Sequence, residues 1–127
     1  MALLVLFFVV TSLLMVGLAL PLIRGRIKPN HWYGFRIPLT LNNPGIWYPA
    51  NRYAVWLLLI YGLVLLVVSL ALPILLSGLP EEEAMSLYGL AGAAVMLVGL
   101  LPVVILSLRY ANRLARDNDA DDSPQVS

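Results

Sequence analysis

A guanidinium inside an apolar and aromatic stretch is the first group in this chain that could do chemistry. Arg36 lies amid Gly34, Phe35, Ile37, Pro38 and Leu39, where it is expected to be partly desolvated and to need acceptors for its five N–H donors. No Asp or Glu occurs between Arg24 and Arg52. Three acceptors fit: carbonyls of its own segment, a lipid phosphate, or the carboxylate of a partner. Local bracing is the favoured reading. His31 is the one histidine, and with no Cys, Asp or Glu beside it it makes a poor metal site. Glu81, Glu82 and Glu83 are consecutive, so their carboxylates point different ways and suit a solvated helix start better than a cation site. No serine–histidine–acid set, glycine-rich phosphate loop or carboxylate pair is present. A non-enzymatic protein without metal or cofactor is expected.

The elements that must carry these residues are membrane helices. Of the 127 residues 61% are hydrophobic and only 12% charged, against roughly 25% charged in a soluble domain. A chain this small could not bury so much apolar surface in water. Its fold class is therefore all-α integral membrane, with three transmembrane helices over about 2–23, 53–76 and 84–108. A long basic and aromatic loop, 24–52, joins the first two. Residues 1–116 form a single membrane domain, and 117–127 an acidic flexible tail. The first span has no basic residue before it, so it reads as a retained helix rather than a cleaved signal. Cysteine is absent, which excludes disulfides and thiolate chemistry.

Charge sets the orientation. All eight Lys and Arg lie in the 24–52 loop or just after the third span. Cytoplasmic segments carry such an excess. The expected topology is N-terminus outside, loop inside, the Glu81–Glu83 turn outside and C-terminus cytoplasmic. No Asp, Glu, Lys, Arg or His lies within a span, which argues against a self-contained pump or ion-coupled transporter. The basic surface is also too small for nucleic acid. Within the third span Gly89 and Ala93 form a small-residue pair, with Gly92, Ala94 and Gly99 nearby, and Pro102 is expected to kink it.

The loop alternates turn formers with aromatic and basic groups. Ile37 precedes a proline and is pushed towards an extended backbone. Asn43-Pro44 reads as an N-cap followed by proline at the first helical position, and Pro49 is expected to interrupt that short helix. Trp47 and Asn51, like Tyr48 and Arg52, are four apart and face the same way. Arg24, Arg26 and Lys28 read as topology signals, and Tyr53 and Trp56 as interfacial aromatics.

The ordered set Asn30-x-x-Tyr33-Gly34-x-Arg36-x-Pro38-x-Thr40-Leu41, then Trp47 and Asn51-Arg52, resembles the SdpI family of bacterial membrane proteins. Ile37 stands where that family often has Thr, and the longer immunity proteins carry an extra N-terminal membrane region. The resemblance implies a multi-pass protein of the bacterial cell membrane. It also implies a role in immunity to a peptide toxin, or as a receptor that recruits a cytoplasmic repressor. Asn30, Tyr33, Gly34, Arg36, Pro38, Thr40, Trp47, Asn51 and Arg52 are then the residues expected to bind a partner or brace the loop. The implied partners are the lipid bilayer with a peptide toxin, a cytoplasmic repressor or other membrane subunits. The second reading is a structural accessory subunit of a larger transporter, respiratory or photosynthetic complex.

Overall fold

The structure, a computed structural model, describes residues 1–122. Four helices follow one another: α1 (Ala2–Ile23), α2 (Pro38–Leu41), α3 (Pro44–Leu75) and α4 (Glu81–Asp121). Three of them are long and apolar enough to cross a membrane. Each is held by its own backbone hydrogen bonds, the arrangement that hydrocarbon demands. Three serine hydroxyls within them fold back on the same helix: Ser12, Ser69 and Ser107 donate to the carbonyls of Phe8, Leu65 and Val103, each at 2.6 Å.

α3 is the central element and packs along both α1 and α4. Away from the loop, Phe8, Leu65 and Tyr88 form one cluster. Phe8 and Tyr88 meet edge to face with ring centroids 5.6 Å apart. Lipid tails are as apolar as leucine, so close packing rather than hydrophobic burial must hold such helices together. Small residues on α4 make that possible. A Cβ at Gly92 would lie 2.5 Å from the Phe8 ring, and one at Gly99 equally close to the Tyr61 ring. Tyr61 also donates to the Met96 carbonyl at 2.6 Å. The contact row is thus Gly92 and Gly99. Gly89 makes only an ordinary contact, and Ala93 is exposed.

Two helices are longer than the sequence suggested. α3 starts at Pro44, not Tyr53, and passes through Pro49 unbroken. Pro49 lies near the helix start, and the Gly45 carbonyl that loses its partner belongs to an exposed residue, where water can serve it. The 24–52 segment is therefore not one loop: 24–43 is connection with the single turn α2, and 44–52 is helix. α4 runs through Pro102 to Asp121, so the expected tail is helical up to that residue. The remainder, 123–127, lies outside the described residues.

The extra turns have a physical cause. Ala111 on α4 is buried against Ile46 and Ala50 on α3, with Phe35, Ile37, Leu39, Leu114 and Ala115 packed around them. These residues lie beyond the apolar spans. They form a small core outside the hydrocarbon that joins both helix extensions to the connection. The opposite end is closed by a short turn in which Leu79 N–H donates to the Leu76 carbonyl at 3.0 Å. Glu81, Glu82 and Glu83 then occupy the first turn of α4, where the helix dipole favours them.

Candidate functional site: a loop pinned to three helices

The connection from Arg24 to Asn43 is held by side chains that reach backbone atoms. Asn30 closes a tight turn: its Oδ1 accepts from the N–H groups of Trp32 at 2.9 Å and Tyr33 at 2.7 Å. Its Nδ2 donates to the Lys28 carbonyl at 2.8 Å, the local bonding that suits Asn to turns. Tyr33 then reaches α1, its hydroxyl donating to the Leu18 carbonyl. Burial pushes this phenol above its ordinary pKa.

Trp47 and Asn51, on the first turns of α3, are the centre of the arrangement. Trp47 is fully buried and Asn51 nearly so. The indole Nε1 donates to the Ile27 carbonyl at 3.0 Å, early in the connection. Asn51 Oδ1 accepts from the Phe35 N–H at 2.6 Å, and its Nδ2 donates to the Trp47 carbonyl at 2.9 Å. One helix face therefore grips the connection at two points, because positions four apart coincide on it. Gly34 lies against both side chains with φ +111°. A Cβ there would lie 2.6 Å from Asn51 Oδ1 and 3.3 Å from the Trp47 ring.

The next turn is fastened by Thr40, which is fully buried. Its Oγ1 accepts from the Ile37 N–H at 3.0 Å and lies 2.8 Å from the Phe35 carbonyl to which it donates. Ile37 is extended, with φ −117° and ψ 160°, ahead of Pro38, the first residue of α2. Asn43 caps α3, its Oδ1 accepting from the Gly45 N–H at 2.9 Å.

The nine residues singled out from the sequence thus divide. Asn30, Tyr33, Gly34, Thr40, Trp47 and Asn51 face inward or hold the backbone. Arg36, Pro38 and Arg52 are exposed. Arg36 is less desolvated than its apolar neighbours suggested. It lies at the surface and donates through Nη1 to the His31 carbonyl. The outward face also carries His31 and Trp32, the latter 90% exposed. The missed signal was Asn30, whose turn fixes Trp32 outward and Tyr33 inward.

Below Tyr33 and Phe35 a cleft of about 230 Å³ opens between the helices, walled by Leu18, Leu22, Val103 and Ser107. Arg52 faces elsewhere. With Tyr48, Trp56, Tyr110 and Gly25 it lines a separate cleft. Among the described residues no group of His, Asp and Glu is placed to hold a metal ion.

Three apolar helices with a first connection pinned to them define a multi-pass membrane protein with an ordered extramembrane face. The chain belongs to the SdpI/YfhL protein family, whose model matches residues 26–110, more than half of it and including all nine residues from Asn30 to Arg52 singled out above. No curated protein and no solved structure matches it.

Proposed function

We propose that this is a non-enzymatic binding protein of the bacterial cell membrane, acting in peptide-toxin immunity or as a signal receptor through its 30–52 segment. The observation that carries the reading is the division of labour in that segment. Five side chains and Gly34 are spent on backbone shape, and the surface they hold presents Trp32, Arg36 and Pro38. An exposed Trp beside an Arg on a rigid backbone is the composition of a binding hot spot, since both types are enriched there and little entropy is lost on binding. The apolar cleft beneath Tyr33 and Phe35 suits a hydrophobic side chain of a peptide. We place this face in the cytoplasm on the strength of the basic residues that flank it, with the N-terminus outside, which suits recruitment of a cytoplasmic repressor.

The test is co-purification of tagged full-length protein from membranes of its own host, comparing wild type with Trp32→Ala and Arg36→Ala. A partner held by wild type and lost from both variants, with α-helical content unchanged, is the expected result. A deletion strain equally resistant to every co-encoded peptide, with no partner lost from the membrane, overturns the reading.

A second reading, an accessory subunit of a larger membrane complex, is favoured by α4. Only 6% of its most apolar window is buried within the chain, leaving a long face for neighbouring helices. Native mass analysis after gentle extraction separates the two, because an accessory subunit leaves the membrane with its complex.

A further inference from the structure

A second concentration of positive charge lies away from the connection described above. Tyr53 of α3 and Tyr110 of α4 stack with ring centroids 4.3 Å apart and planes 18° from parallel. Both rings form the wall between two adjoining clefts. One, of about 540 Å³, is lined by Arg109, Arg113 and Arg116 with Asn112. The other carries Arg52 and Trp56. Asp117 is the single acidic side chain among the residues lining either cleft.

We propose that the paired clefts around Tyr53 and Tyr110 bind the phosphate-bearing headgroup of an anionic phospholipid. Arg109, Arg113 and Arg116 are spaced four and three apart and share one face of α4. That face is not a fraying helix end. Ala111, Leu114 and Ala115 on the other side of the same turns are packed into the small core with Ile46 and Ala50. The guanidiniums are therefore carried on a fixed scaffold, and their forked donors suit phosphate oxygens. Arg52 approaches from α3, so charge converges from two helices on one stacked pair.

The level of the clefts selects a lipid over a soluble phosphate. The apolar run of α3 begins at Tyr53 and that of α4 ends at Leu108. This is the depth at which headgroups lie and where Tyr and Trp concentrate. On the membrane side of the clefts Trp56 and Ile60, four apart on α3, are 50% and 55% exposed. They offer a strip along which an acyl chain can lie. Gly25 lines the second cleft and brings Arg24 and Arg26 to its rim, whereas Lys28 neither lines a cleft nor adjoins a lining residue, which makes it an internal control.

The experiment is native mass spectrometry of the full-length protein in mild detergent, titrated with phosphatidylglycerol or phosphatidylcholine. Wild type is expected to retain one phosphatidylglycerol at least tenfold more tightly than phosphatidylcholine. Removing two of the converging charges in Arg109→Gln/Arg113→Gln should weaken it roughly thirtyfold. Lys28→Gln should leave it within about twofold, since that charge lies outside the clefts. Tyr53→Leu/Tyr110→Leu keeps every charge and should still weaken binding severalfold. Circular dichroism on each variant identifies any that fails to fold, and the Tyr pair is then replaced by Tyr110→Phe/Trp56→Phe as the charge-neutral arm. Equal losses in the two charge variants would mean a diffuse basic surface and overturn the site. Displacement of the lipid by equimolar glycerol 3-phosphate would overturn the lipid assignment.

Discussion

At the scale of single residues, the site is a set of side chains that substitute for missing backbone partners. A connection without regular structure must find donors and acceptors for its own amides. Here Asn30, Thr40, Trp47 and Asn51 supply them. Gly34 shows how tight the fit is. Its positive φ alone would tolerate alanine poorly, and the Cβ would also collide with the Asn51 oxygen that receives the Phe35 N–H. Gly34→Ala should therefore destabilise the protein by roughly 2–4 kcal/mol, combining strain with a lost buried hydrogen bond. Gly25→Ala is the comparison. Gly25 has φ +64° but open space around it, so strain of about 1 kcal/mol is all that is expected. Thermal unfolding of both variants in one detergent measures the difference. Similar melting shifts would mean that the contact with Asn51 is unimportant. Sequence reasoning selected Gly34, Trp47 and Asn51 together but could not divide them from Arg36 and Pro38. Inward and outward positions in an irregular segment follow no period.

At the scale of elements, the three apolar helices were legible because runs of some twenty hydrophobic residues leave few alternatives. Their ends were not. Pro49 and the charges after Leu108 both read as stops. Packing outside the membrane overrode them, as tertiary contacts commonly override local propensity. Apolar Ala111, Leu114 and Ala115 among Arg109, Arg113 and Arg116 make an amphipathic pattern, the one signal that could have extended α4. This extension makes a prediction. Ala111 is completely buried beside Ile46 and Ala50, so Ala111→Leu should overpack the junction at a cost of about 1–3 kcal/mol. Hydrogen exchange should then rise in 35–50 while the membrane spans stay protected. Uniform loss of protection along α3 would mean that the small core does not behave as a separate unit.

At the scale of the whole molecule, the two ends differ in kind. One is a short turn with three glutamates. The other gathers all eight basic residues, the pinned connection and the small core. The basic end is expected to face the cytoplasm, and the absence of cysteine makes this direct to check. Ser77→Cys should react with an impermeant maleimide applied outside intact cells, and Asn42→Cys only after the membrane is opened. The reverse pattern would invert the topology. The small core also bears on how the protein is made. Residues near Phe35 and Ile37 emerge early in synthesis, whereas Ala111 and Leu114, against which they pack, emerge after the last span. At about 5–20 residues per second, translation leaves that connection incomplete for several seconds. The small core is finished last, and a chain truncated before α4 ends would lack it.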